Sequence, residues 1–202
     1  MARQFYSQQF VRSALKGRTY LFPSADYEAL ISWADTTPGV VDYEPMSTAL
    51  TYQQGGTTKE TKVPLTLRMR DGSTHFWDFS RGQAALANEV HKLYAANSGG
   101  VYRCFDAETN PMHFVERQNR RHLRCLLVQG RGVDTSSRES AALDVLSSHG
   151  MAVPGLAAAL HCTAGQALLA VTRLWLRELL DLPLAQRMAP ETWLIRRSES
   201  WT

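Results

Sequence analysis

Apolar residues Tyr27, Leu30, Ile31 and Ala34 recur at i, i+3, i+4 and i+7, the spacing of one buried helical face. Ser24 stands where an N-cap belongs, and Pro38-Gly39 stops the segment. After it the period changes. Val40 to Tyr43 and Thr48 to Gln54 have strand composition, with Gly55-Gly56-Thr57-Thr58 as a turn. Val63, Leu65, Leu67 and Met69 then alternate with Pro64, Thr66, Arg68 and Arg70, which predicts a strand with one buried side. Asp71-Gly72 supplies the left-handed backbone of a tight hairpin, and Ser73 to Phe79 runs back as its partner. Gln83 to Ala96 reads as a second helix with Leu86, Val90, Leu93 and Tyr94 on one side, ended by Asn97-Ser98-Gly99-Gly100, and Val101 to Phe105 is a short strand. Helix, three or four strands, helix, strand is the order of an α/β domain, a mixed sheet flanked by helices.

A third helix, about Pro111 to Val128, closes this half. The glycines and polar residues of Gly130 to Ser137 predict a linker, which divides the chain into residues 1–132 and 133–202. Beyond it Ser140 to Ser148, Val153 to His161 and Ala164 to Leu180 predict three short helices on a helix-turn-helix plan. Leu182 to Arg196 adds a small wing or closing segment.

Composition narrows the class. Of 202 residues 44% are hydrophobic and 20% charged, and no apolar run approaches the ~18 residues of a membrane span. The first residues lack the apolar core of a secretory signal, so a soluble, cytoplasmic chain is expected. Cys104, Cys125 and Cys162 are odd in number and form no Cys-x-x-Cys pair, which points to reduced, structural thiols. His161-Cys162 would hold a metal only with two ligands from elsewhere. The formal net charge is +3, and of 22 basic residues only Lys16, Lys59, Lys62 and Lys92 are lysine. The remainder are arginines, whose planar fork suits phosphate.

Several short motifs fall in a recognisable order: Glu28 on the first helix, Glu44-Pro45, Pro64-Leu65-Thr66, the Asp71-Gly72 turn, and Asp78-Phe79-Ser80 on the return strand. In this order and spacing the chain resembles the catalytic domain of TnsA-type transposon endonucleases. Its helical second half resembles the winged-helix-like tail of that family. The resemblance implies a restriction-endonuclease-like fold and, for an active member, carboxylates holding Mg²⁺ with a lysine beside the attacking water. It also implies a DDE-type transposase and an AAA+ ATPase regulator as partners. The family pattern places Asp where Leu65 stands and Lys where Ser80 stands. Glu28 and Asp78 are thus vestigial candidates, and a protein without its metal centre is expected. Glu60-Thr61-Lys62 is a second acidic-x-Lys string, read as a solvated loop.

Arg117, Arg120, Arg121 and Arg124 fall at i, i+3, i+4 and i+7, one basic stripe opposite Leu123, Leu126 and Leu127, and are the DNA-binding candidates. The Ala164 helix is apolar on most sides, more a buried or partner-facing helix than a groove reader. Trp193 and Trp201, with Arg196 and Arg197, suggest a docking tail. The leading expectation is a DNA-binding accessory protein of a mobile element, with double-stranded DNA as ligand and homo-oligomers allowed. Two alternatives stay open: an Mg²⁺-dependent nuclease using Glu28, Asp78 and Lys62, and a helix-turn-helix regulator.

Overall fold

The computed structural model describes residues 9–22, 25–79, 85–105, 111–146, 150–187 and 194–197. The chain is mixed α/β and divides into two compact units, residues 1–35 with 39–111, and residues 36–38 with 112–202.

The first unit contains β1 (Gln9–Arg12), β2 (Thr19–Phe22), α1 (Ala25–Asp35), β3 (Val40–Pro45), β4 (Ala49–Gln54), β5 (Thr57–Lys62), β6 (Leu65–Met69), β7 (Thr74–Phe79), α2 (Ala85–Asn97) and β8 (Val101–Phe105). The central sheet has the order β3-β6-β7-β8, antiparallel except for the β7–β8 pair. The parallel pair needs a crossover, and α2 supplies it. One face carries Tyr43, Leu65, Leu67, Trp77, Phe79 and Phe105, which share a core with Leu30, Ile31, Trp33 and Ala34 of α1. On the other face Phe76, Tyr102 and Val63 pack with Tyr94 and Ala95 of α2. Along β7 and β8 strand alternation forces this division, because neighbouring residues point to opposite sides of the sheet. Val63, expected on the side of Leu65 and Leu67, stands ahead of β6 and packs on the α2 side instead.

Two hairpins flank the sheet. The β1–β2 hairpin was not expected from the sequence; its turn is held by Asp35 at the end of α1, whose carboxylate accepts from Ser13 Oγ and the amides of Ala14 and Leu15. The second corrects the reading of Thr57 to Lys62 as turn and loop: these residues form β5 and pair with β4 from Ala49–Lys62 to Gln54–Thr57. Gly55 and Gly56, at φ 57° and 74°, give the two-residue turn the left-handed backbone it requires. The buried side of α2 also differs from expectation. Leu86 and Leu93 are 42% and 64% exposed, while His91 and Ala95 face inward, because the helix docks through a polar network at Asp78.

The second unit contains α3 (Pro111–Gln129), α4 (Ser136–Val145), β9 (Met151–Ala152), α5 (Val153–Ala159), α6 (Ala164–Leu176), β10 (Leu180–Asp181) and β11 (Leu194–Arg197). A small antiparallel sheet has the order β10-β11-β9. α5 and α6 meet at 100°. Thr163 caps α6 in a capping box with Gln166. Leu123 of α3, Ala142 and Leu146 of α4, Leu156 of α5, Val171 and Leu174 of α6 and Ile195 of β11 form one core. α3 therefore groups with the helices that follow it, and the expected division at 132/133 falls inside this unit. Gly130 lets α3 end against α6: a Cβ there would lie 2.3 Å from Leu169 Cδ2. Residues 133–135, expected as part of a linker, are held by Arg173, which donates to Val133 O and Gly130 O at 2.8 Å and to Thr135 Oγ1. Ser24, Ser80, Trp193 and Trp201 lie outside the described residues.

Candidate functional site

Leu65, which the resemblance aligns with a metal-bridging Asp, stands at the start of β6. Its cross-strand neighbour is Trp77, and both side chains are 1% exposed on the sheet face covered by α1. Phe79, two residues along, points the same way and is 4% exposed. Asp78 lies between Trp77 and Phe79, so its carboxylate points to the opposite face. Glu28 is half-buried on α1. Leu65 and Asp78 thus project from opposite faces of the sheet, although Tyr27 of α1 reaches the cavity beside Asp78. A hard divalent cation takes oxygen ligands, and Leu65, Trp77 and Phe79 offer none, so the residues on the α1 face do not fit Mg²⁺. Among the described residues no three His, Cys, Asp or Glu side chains gather as a metal would need.

Asp78 is instead the centre of a buried network. Oδ1 accepts from the Phe79 amide at 2.8 Å. Oδ2 meets His91 Nδ1 at 2.6 Å, Asn88 Nδ2 at 2.6 Å and the Tyr102 hydroxyl at 3.2 Å. Asn88 and His91 stand one turn apart on α2, so one helix face brings both donors to the end of β7. Asn88 also donates to Phe79 O at 2.8 Å. A carboxylate only accepts, so Nδ1 donates to Asp78, and Nε2 hydrogen-bonds the Thr61 hydroxyl, whose Oγ1 lies 3.0 Å away on β5. Burial and the Asp78 charge both push the Tyr102 phenol up, which keeps it a donor.

Thr61, His91 and Asp78 follow the hydroxyl–imidazole–carboxylate order of a nucleophilic relay. The cavity adjoining them is small. It is about 40 Å³, lined by Tyr27, Thr61, Lys62, Pro64, Asp78, Ala87, Asn88 and His91, and has room for a few waters only. Lys62 and Asp78 do share this cavity, whereas Glu28 does not line it. Glu60 is exposed on β5 and pairs across the ribbon with Thr51. A larger open groove of about 410 Å³ covers the part of the sheet face near β3 and β6, with Asp42, Glu44, Thr66 and Arg68 in its lining. Its carboxylates are engaged: Lys16 reaches Asp42 and, at 3.0 Å, Glu44, and Arg18 reaches Glu44 at 2.8 Å.

The four arginines of α3 do not share one surface. Arg121 is exposed and Arg117 half-buried, whereas Arg120 and Arg124 are only 8% and 7% exposed. Positions 120 and 124 flank Leu123, the centre of the helix's buried side, and the burial of Leu123 carries them inward with it. Arg120 donates to Glu116 Oε1 and Thr36 O at 2.7 and 2.6 Å, and its guanidinium lies 5.5 Å from the Trp175 ring centre. On α6, Arg173 and Arg177 are likewise engaged: Arg177 pairs with the buried Glu139 at 2.8 Å.

The role of Asn88 and His91 was missed in the sequence. The signal was available, because Asn88, His91 and Ala95 fall at i, i+3 and i+7 and mark a helix face that is polar yet inward. No protein-family model and no curated protein matches this chain.

Proposed function

We propose that the chain is a TnsA-like, DNA-binding accessory protein of a transposition or integration machinery, with a restriction-endonuclease-like scaffold that holds DNA without cutting it. The element order α1-β3-β6-β7-α2-β8 around a four-stranded mixed sheet supports the scaffold part of this reading. The order α4-β9-α5-α6-β10-β11, with the sheet β10-β11-β9, supports a winged-helix-like second unit. The observation that carries the non-cutting part is the apolar pair Leu65–Trp77 where a metal ligand would stand. Arg117 and Arg121 are the α3 arginines nearer solvent and are assigned to phosphate, while Arg124 is buried and Arg120 is bonded to Glu116 and Thr36. The partners that the resemblance implies, a DDE-type transposase and an AAA+ ATPase, belong to the same proposal.

The test combines two assays on the purified chain. Fluorescence anisotropy with duplex DNA is expected to show binding that weakens steeply with salt, as counterion release requires. Supercoiled plasmid with Mg²⁺ or Mn²⁺ is expected to remain intact. Metal-dependent cutting abolished by Glu28→Ala would overturn the non-catalytic part, and absence of binding at low salt would remove the DNA part.

A second reading, a helix-turn-helix regulator, is favoured by the 100° bend between α5 and α6 across a four-residue connection. It requires the exposed start of α6, around Gln166, to carry the DNA contact. Binding lost in Gln166→Ala and kept in Arg117→Ala/Arg121→Ala would favour the regulator.

A further inference from the structure

The β4–β5 ribbon is a two-stranded sheet of its own, and its outer half is exposed on both faces. Gln53, Thr58 and Glu60 point to one side, and Gln54, Thr57 and Lys59 to the other. Its base is fixed. Leu50 packs against the cluster of Val63, Phe76 and Ala95, and Thr61 bonds His91 at 3.0 Å. The amide of Val63 donates to Thr48 O at 3.0 Å. A well-anchored base with a tip that packs on nothing contributes little to the core. The tip's composition is therefore free to serve a ligand.

That composition is specific. From Gln53 to Lys59 the sequence is Gln-Gln-Gly-Gly-Thr-Thr-Lys, with two amides, two hydroxyls, one ammonium and no large apolar side chain. The one carboxylate of the outer half, Glu60, stands below this tip on the face of Gln53 and Thr58. Amides pair with adenine edges, hydroxyls with any base edge, and an ammonium with guanine or phosphate. Paired strands lie about 4.8 Å apart, and the duplex major groove, about 12 Å wide and about 8.5 Å deep, admits a two-stranded ribbon. At about 3.4 Å per residue, the three outer residues of each strand span roughly the depth of that groove. The side chains are already organised: Gln53 Nε2 donates to Thr58 Oγ1 and Lys59 Nζ to Gln54 Oε1, both at 2.6 Å. Such ordering lowers the entropy lost on binding.

We infer that the β4–β5 ribbon is a DNA-reading element whose tip residues Gln53, Gln54, Thr57, Thr58 and Lys59 enter the major groove of a duplex. This rests on the DNA-binding reading above and assigns it a contact surface. A protein partner adding a strand to the ribbon edge would use backbone and apolar pockets, and the tip has no apolar side chain to offer one.

The experiment uses the full chain and a set of 25-base-pair duplexes of varied sequence, read by fluorescence anisotropy. The triple variant Gln53→Ala/Gln54→Ala/Lys59→Ala is expected to bind at least tenfold more weakly with an unchanged melting temperature. Lys59→Ala alone is expected to lower the salt slope by about one. Methylating guanine N7, which lines the major groove, is expected to interfere, while a minor-groove ligand such as netropsin leaves binding intact. If the wild-type chain binds duplexes and the triple variant binds equally well, the ribbon assignment is overturned and the DNA-binding reading stands. If the wild-type chain binds no duplex, both fall. Ribbon-dependent binding of single-stranded RNA in preference to duplex DNA would also overturn the assignment.

Discussion

Leu65 and Trp77 stand directly opposite each other on β6 and β7, each 1% exposed, on the sheet face that α1 covers. The contact between them is apolar and dry. Leu65→Ala is expected to cost about 2–5 kcal/mol through lost burial and the cavity left behind. Leu65→Asp is expected to cost more, because the carboxylate has no partner on an apolar face. Urea unfolding measures both, and the same Asp variant is expected to gain no Mg²⁺-dependent plasmid cleavage.

The arginines of α3 separate by neighbours one residue apart. Arg120→Ala is expected to destabilise by about 2–3 kcal/mol, since it removes buried charge-assisted bonds to Thr36 and Glu116 and the contact with Trp175. The exposed Arg121→Ala is expected to change stability by no more than about 0.5 kcal/mol while weakening duplex binding and its salt slope. Paired urea melts and anisotropy titrations check the contrast. Equal stability losses in the two variants would contradict it.

At Asp78 the charge of one buried group serves four donors. Asp78→Ala strands His91, Asn88, Tyr102 and the Phe79 amide and is expected to cost on the order of 3–5 kcal/mol. Tyr102→Phe removes one donor and is expected to cost about 1 kcal/mol. Thr61→Val is expected to cost about 1 kcal/mol as well, and amide exchange is expected to speed up in β4 and β5 before the rest of the sheet. Exchange unchanged in the ribbon would mean that Thr61 does not anchor it.

Asp35 supplies a pH dependence. Burial pushes its carboxyl above the ordinary 3.8, against the pull of the Leu15 and Ala14 amides and the Tyr43 and Ser13 hydroxyls. The folded chain therefore keeps the Asp35 proton to higher pH than the unfolded chain does. The contribution of Asp35 to stability is fully present at low pH and falls as pH rises from about 4 through the raised folded value. The stability difference between wild type and Asp35→Asn, taken at each pH from about 3 to about 7, cancels the other carboxylates. It is expected to shift against the wild type as pH rises, and a shift in the other direction would show that the hydrogen bonds outweigh burial.

What could be read from the sequence followed from periodicity. α1 and the β6–β7 hairpin were legible because one face of each is apolar at the right spacing, and Asp71-Gly72 marked the turn between strands. β5 was not, because Thr57 to Lys62 is polar throughout: the ribbon is solvated on both sides and carries no alternation to detect. The inward face of α2 was misassigned because Leu86 and Leu93 outrank Asn88 and His91 on any hydrophobic scale. Polar groups that satisfy one another at Asp78 occupy the inward side in their place. The arginine stripe was legible as a spacing but not as a surface. Burial of Arg120 depends on Thr36, Glu116 and Trp175, and two of these are distant in sequence.

Arg173 fastens the backbone of 130–133, and Asn119 on α3 donates to Leu184 O and Gln186 O at 2.7 and 2.6 Å. A glycine-containing connector would ordinarily invite a protease or a truncation point. Here a cut at 132/133 would separate Leu123 from its core, take Gly130 O away from Arg173, and leave Leu184 O and Gln186 O without Asn119. A fragment that starts at Val133 would accordingly open along the side that α3 seals.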